Sequence, residues 1–418
     1  MAHRPSLPSA YVGRLQNTWM RISLLGVILC IGLMAGACGL TLIPAPNIAH
    51  GVVYVASSDG EVLALHADDG SVAWRVKTGG DPHCQPLLAN GVLYVDEPDL
   101  LRDEGVLYAF DTRTGVVRWK YAYQGITSSL LLADGALYAG AGSITRRQGA
   151  VFAVRATDGA QVWIRPFAPY EPIFTAISAS VVFGGTVDGE QVALRASDGG
   201  TVWQTQPRGI ASAPPTLAGD TLYVASDILL ALKISDGSIR WQQPQPEYIA
   251  NHAPVVANGA VYVGSSGVYA FRASDGAPLW RSVIGNGMNV SVVAGDVVYA
   301  GSEQHNTLTA LNGSNGSILW THRTGYGVTW PTVVDGTVYV GSDSVSALRT
   351  HDGTSLWSHT VQPSILAAPI ARDGVIYAAT AGNFDHHSHV LALRAKDGAL
   401  IWQYEVGPNL YYSPLLDP

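Results

Sequence analysis

The stretch ALRASDGGTVW, residues 193–203, sets an alanine ten positions ahead of a tryptophan and fills the gap with a charged turn and the start of a strand. The same phrase recurs nine times, at Ala64/Trp74, Ala109/Trp119, Ala153/Trp163, Ala193/Trp203, Ala231/Trp241, Ala270/Trp280, Ala310/Trp320, Ala347/Trp357 and Ala392/Trp402. The ten-residue separation never varies. Successive tryptophans lie 45, 44, 40, 38, 39, 40, 37 and 45 residues apart, the length of one supersecondary unit in a repeat architecture. Nine of the eleven tryptophans are thereby used, and only Trp19 and Trp330 fall outside the phrase.

Around each phrase the apolar residues alternate, as in GVVYVAS (51–57), DTLYVAS (220–226) and GTVYVGS (336–342). Valine and tyrosine at period two mean strands. A second strand follows, then a turn that is most often Asp-Gly, read as a two-residue hairpin turn because such pairs tolerate positive φ. A third strand carries the Trp. The fourth strand of each unit lies ahead of the Val-Tyr strand, as in SAPPTLA (212–218) and HAPVVAN (252–258), where prolines suit an inner edge with one neighbour missing. Four strands per unit of about 40 residues, with no helical window after the leader, predict an all-β propeller.

At these residues the chain resembles the pyrroloquinoline-quinone (PQQ)-type propeller repeat, whose docking motif runs Ala-x-Asp-x-x-Thr-Gly-x-x-x-Trp. The resemblance implies that Trp74, Trp119, Trp163, Trp203, Trp241, Trp280, Trp320, Trp357 and Trp402 pack between neighbouring blades against the Ala and the turn Gly. The motif Asp survives here only as Asp111; Arg155, Arg195, Arg272, Arg349 and Arg394 stand at its place in five other units, which reads as a rim of Arg and Asp pairs. Nine phrases against the eight blades usual for such repeats leave eight or nine blades. YYSPLLDP (411–418) looks like an inner strand with no unit after it, and so predicts closure by joining the two chain ends.

Composition narrows the function classes. With 24 Lys+Arg against 32 Asp+Glu and a net charge of −8, the chain lacks the basic balance needed to grip nucleic acid through its phosphates. Residues 1–21 carry Arg4, Arg14 and Arg21 and no acid, and ISLLGVILCIGLMAGACGLTLI (22–43) is an uncharged run long enough to span a bilayer as a helix. Residues 1–43 therefore read as a cytoplasmic stub plus leader, and 44–418 as one propeller domain. MAGAC, ending at Cys38, resembles a bacterial lipobox, with Ala35 where that pattern prefers Leu. The alternatives are lipidation at Cys38, a retained transmembrane anchor or a cleaved signal peptide, and each delivers the propeller outside the cytoplasmic membrane. Cys30 and Cys38 lie in the leader, so Cys84 is alone in the folded part and no disulfide framework forms.

Three places carry candidate chemistry. NFDHHSH offers Asp385, His386, His387 and His389 as metal ligands, weighed against a solvated hairpin tip. DEPDLLRDEG offers Asp96, Glu97, Asp99, Asp103 and Glu104 to calcium, weighed against an acidic surface insertion. The segments linking each Trp strand to the next inner strand collect His83, Tyr121, Tyr123, Tyr170, Arg208, Tyr248, His252, Asn289, Tyr326 and Trp330, residue types that dominate recognition hot spots; plugging of the channel is the competing role. Resemblance to quinoprotein dehydrogenases would imply PQQ with calcium on the axis under a vicinal disulfide, which a lone Cys84 does not provide. The chain is instead similar to non-enzymatic propeller lipoproteins. The expected function is an extracytoplasmic, membrane-tethered scaffold for a protein or peptide partner, with no catalytic residue and no cofactor. A PQQ- or metal-dependent oxidoreductase and a small-ligand or glycan sensor are the alternatives.

Overall fold

A computed structural model describes residues 51–416 apart from 83, 100, 144–147, 168–171, 179, 187–188, 207–213, 227, 245–251, 286–287, 303, 326–327, 366, 383–386, 408–409 and 411. It contains nine four-stranded antiparallel sheets, the blades of a propeller, numbered here in the order of their tryptophans from Trp74 to Trp402. In blade 2, strands Leu87–Ala89, Val92–Asp99, Glu104–Asp111 and Val117–Gln124 follow one another outward from the axis. Blade 1 is composite. The chain start supplies Val52–Ala56, Glu61–His66 and Val72–Lys77, while Leu415–Leu416 provides the inner strand, paired with Val53 and Tyr54. The ends thus close the ring as expected, and the blade count is nine. The apolar leader, its expected helix and Cys38 lie outside the described residues. Among the described residues no helix is long and apolar enough to cross a membrane.

The repeated phrase is the joint between blades. Within a blade the Ala faces the Trp across the two outer strands, as in Ala64↔Trp74 and Ala193↔Trp203, and a bulge beside the Ala turns the Trp toward the next blade. There the indole lies on the turn Gly of the following unit: a Cβ on Gly115 would sit 2.7 Å from the Trp74 ring, and one on Gly70 2.6 Å from Trp402. Trp74 Nε1 donates to the Thr112 carbonyl at 2.6 Å, Trp163 to Ala196 at 2.8 Å, and Trp402 to Ala67 at 2.7 Å across the closure. A tyrosine from the Val-Tyr strand leans on each indole, Tyr54 on Trp74 with centroids 5.8 Å apart and Tyr377 on Trp402 at 6.0 Å; Phe183 takes that place in blade 4. An indole buried in this way stabilises the joint by about 3–5 kcal/mol relative to alanine.

The Asp-Gly turn differs from the expected two-residue hairpin. It spans four residues, 67–70 in blade 1, where His66 N donates to the Ser71 carbonyl and Gly70 N to that of His66, both at 2.8 Å. Only the Gly is left-handed, with φ +71 at Gly70 and +70 at Gly199. The Asp instead accepts an N–H two residues on, as Asp198 does from Gly200 at 2.8 Å. Arg155, Arg195, Arg272, Arg349 and Arg394 each pair with the Asp three residues on, the rim of charge pairs anticipated from the sequence. True two-residue turns, with both φ positive, join inner strands to Val-Tyr strands at Asn90-Gly91, Asp134-Gly135, Asn258-Gly259, Asp335-Gly336 and Asp373-Gly374.

Antiparallel order fixes two unlike faces. All Asp-Gly loops and all inner-strand turns lie on one, the turn face, and bond to each other within each blade, as Thr112 N does to the Gly91 carbonyl and Ala273 N to that of Gly259. The segments linking blades and the loops between each Val-Tyr strand and the Ala-bearing strand after it lie on the other, the loop face, where Thr78 N donates to Gly60 and Val361 N to Asp343.

Candidate functional site

The three candidates scattered along the sequence fall on the same loop face. His83, Tyr170, Arg208, Tyr248, Tyr326, Asp385 and His386 lie outside the described residues. Asn289 pairs with Gly301 in the inner strand of blade 7, Met288–Ala294, and its side chain is likewise outside the description. The remaining candidates separate into an axial pair, a seam and an imidazole cluster.

His252 and Trp330 form the axial pair. Each precedes a short inner strand, Val255–Ala257 in blade 6 and Thr332–Val334 in blade 8, so their contact passes the head of blade 7. The rings meet edge to face, with centroids 5.9 Å apart and planes at 82°, a geometry that suits the quadrupole of the indole. Burial lowers the His252 pKa to about 4, so the imidazole is neutral at ordinary pH. Prolines at the strand heads prepare this arrangement: the Pro254 carbonyl accepts the Thr216 hydroxyl at 2.6 Å, and Pro369 accepts that of Thr332. The sole tryptophan of the repeat region left free by the docking motif thus has beside it in space His252, the one linking-segment histidine among the described residues.

Tyr121 and Tyr123 sit in the outer strand of blade 2, and both rings pack on Phe152 of blade 3, with centroids 5.2 and 5.3 Å away. Tyr123 is only 5% exposed, and its hydroxyl donates to Asp96 at 2.6 Å. Its ring therefore fills the seam between blades 2 and 3 rather than the open surface. Tyr121 is half-buried and donates to Gln161 at 2.8 Å.

The acidic insertion is more deeply placed than a surface reading suggests. Asp96, Glu97 and Asp103 are buried. Asp96 accepts hydroxyls from Tyr123 and Thr127, Glu97 accepts that of Thr78 from the segment linking blade 1, and Asp103 accepts that of Ser143 in blade 3. Asp99 instead caps its own loop, accepting the Leu101 and Arg102 N–H groups at 3.0 Å. The carboxylates thus turn toward separate partners in three blades. Among the described residues no three such groups are arranged to hold a metal ion.

Asp81, which sequence reasoning passed over inside GGDPHCQP, joins Glu97 at the rim of a cavity of about 480 Å³ between blades 1 and 2, lined also by Thr78, Asp99, Glu104 and Tyr108. Burial, with Asp59 nearby, raises its pKa to about 6. Burial likewise raises Glu97 to about 7, helped by Asp96 and Asp81 and opposed by the Thr78 hydroxyl and the Gly80 N–H. Gly80 is obligatory at this crossing, since a Cβ there would lie 2.6 Å from that of Glu97. The only sequence signal was the pair of glycines ahead of an acid, which marks close backbone approach.

The imidazole cluster stands on blade 9. His387 immediately precedes strand Ser388–Arg394, His389 lies within it, and Glu405 is directly across from His389 in register. His387 Nδ1 is 3.3 Å and His389 Nε2 4.0 Å from the Glu405 carboxylate. Burial, with His387 nearby, lowers the His389 pKa, and Glu405 opposes this.

A closed propeller with a reinforced turn face and a loop face carrying aromatic and acidic groups is the class defined by this geometry. A family model described as outer membrane protein assembly factor BamB matches residues 33–172, 147–287 and 264–411, and the chain belongs to that family. It is 24% identical over 216 residues to an outer membrane protein assembly factor BamB from Shewanella oneidensis, covering 49% of this chain and 44% of that one. A protein of the same name from Yersinia pestis is 33% identical over 67 residues, 16% of each chain. The chain thus spans less than half the length of these curated relatives. Among solved structures, BamB from Moraxella catarrhalis superposes with a TM-score of 0.56 at 21% identity, covering 76% of this chain and 95% of that one. The dihydro-heme d1 dehydrogenase NirN superposes at 0.58 with 11% identity, covering 88% and 77%. At these identities the likeness is one of fold.

Proposed function

We propose that this protein is a non-catalytic scaffold of the cell envelope, tethered to a membrane through residues 22–43 or a lipidated Cys38, which binds a protein partner on the loop face in the service of outer-membrane protein assembly. The observation that carries the reading is the division of labour within each repeat. The words that recur, Ala, Gly and Trp, are spent on joints between blades, while chemically varied residues collect on the loop face, with His252 and Trp330 packed together at its centre. The family match and the names of the curated relatives support the assembly role. Tyr and Trp with a polar surround suit a protein partner, because rigid aromatic groups dominate binding energy at interfaces.

The test is crosslinking and capture from native membranes with wild type, Trp330→Ala and His252→Ala, each checked for an unchanged melt. Loss of one defined partner in the variants is expected, and equal recovery from all three would overturn the assignment to this face. Catalysis is tested separately: a saturable thermal shift with PQQ and calcium, accompanied by dye-linked alcohol or sugar oxidation, would overturn the scaffold reading.

A further inference from the structure

We infer that, with residues 22–43 retained as the anchor, the propeller is held with its turn face toward the bilayer and its loop face directed away, so that the aromatic and acidic surface is the one open to a soluble partner. This rests on the tethered reading above and deepens it.

The argument starts at Gly51. Its φ of +67 matches those of Gly91, Gly135, Gly259, Gly336 and Gly374, at +70 to +77, the second residues of the inner-strand turns. Its carbonyl accepts the Ala67 N–H as those of Gly91, Gly135, Gly259, Gly336 and Gly374 accept their counterparts. Residue 51 therefore occupies the hairpin-turn position of blade 1, whose inner strand comes from the other end of the chain. Whatever precedes residue 51 leaves from the turn face.

Reach then limits the orientation. With residues 22–43 retained as the anchor, the apolar run ends at residue 43, and eight steps of extended chain span at most about 28 Å; a lipid on Cys38 would leave thirteen steps, about 45 Å, enough for either orientation. An inverted propeller would require that segment to pass outward under three strands, about 14 Å, and then climb a six-residue strand, about 20 Å. The direct placement needs neither.

The experiment uses the full tethered chain in phosphatidylethanolamine/phosphatidylglycerol vesicles carrying a lipid-bound energy-transfer acceptor. A donor is attached to an introduced cysteine: Asp68→Cys or Ser235→Cys on the turn face, Leu101→Cys or His387→Cys on the loop face. All four native residues are exposed and Cys84 is fully buried, and Cys30→Ala and Cys38→Ala leave the apolar anchor as the tether and the introduced thiol as the one that reacts. Transfer from the turn-face sites about twofold or more above the loop-face sites is expected, given faces separated by about 20 Å. Equal or reversed transfer from protein that floats with the vesicles overturns the orientation and leaves the tether standing. Protein that fails to float overturns the tethered reading and the orientation with it.

Discussion

Glu97→Gln should make the propeller more stable at neutral and alkaline pH while changing it little in acid. The Glu97 carboxyl lies in the seam between blades 1 and 2, where burial raises its pKa from 4.5 to about 7. A shift of that size corresponds to about 3 kcal/mol at 1.36 kcal/mol per unit. The sign follows from the raised value. Below the unfolded-state pKa both states hold the proton and the seam is at full strength; as pH rises from about 4.5 through 7 the folded protein must ionise a buried group, and stability is lost. Glutamine never ionises and still offers an oxygen to the Thr78 hydroxyl or the Gly80 N–H, so in acid it forfeits at most one hydrogen bond, about 1 kcal/mol. Urea and thermal unfolding of both proteins at pH 4.5, 6, 7 and 8 would read the difference. The variant should be equal or about 1 kcal/mol weaker at pH 4.5 and about 2–3 kcal/mol stronger at pH 8, the latter a gain of roughly 3–4 °C in a domain of this size. A difference that does not change with pH would refute the claim that the seam holds a protonated carboxyl.

Gly115→Ala places a methyl 2.7 Å from the Trp74 ring at a φ of +68, and should destabilise the protein by about 2–4 kcal/mol through strain and overpacking together; denaturant melts check this, and a loss below about 0.5 kcal/mol would count against the joint described here. His252 behaves oppositely to Glu97: with its pKa lowered from 6.5 to about 4 by burial, its stabilisation is complete above 6.5 and fades as pH falls toward 4, by about 3 kcal/mol at most. His252→Gln should remove that acid-side loss, read as a flatter stability profile between pH 7 and 4. Truncation after Tyr412 removes Leu415 and Leu416, which pair with Tyr54 and Val53, and Ser413, whose hydroxyl donates to Ala368 at 2.9 Å and whose carbonyl accepts Gln85. Amide exchange in Val52–Ala56 should then rise well above that of Val375–Ala379 in blade 9, and equal protection would show that the strand is not needed for closure.

What was legible in the sequence and what was not divide along a physical line. Nine identical Ala-to-Trp spacings gave the architecture because a joint between blades must be made the same way at each seam, so its chemistry repeats and can be counted. The closing role of residues 411–418 was legible for the same reason, as a leftover strand in an otherwise complete set. The Asp-Gly loop was misjudged in length because Asn-Gly and Asp-Gly pairs occur in turns of both kinds, and only the register distinguishes the four-residue loop at Gly70 from the two-residue turn at Gly91. The loop face is a different case. Tyr123 and Trp330 both read from the sequence as aromatic residues of linking segments, yet one is sealed beneath Asp96 and the other stands against His252, because the outcome depends on neighbours distant in the chain, 27 residues away for Tyr123 and 78 for Trp330. Asp81 and Glu97 illustrate it most sharply. Each looks like an ordinary surface acid in its own segment, and only the crossing at Gly80 brings the two to one cavity and makes their protons costly to remove.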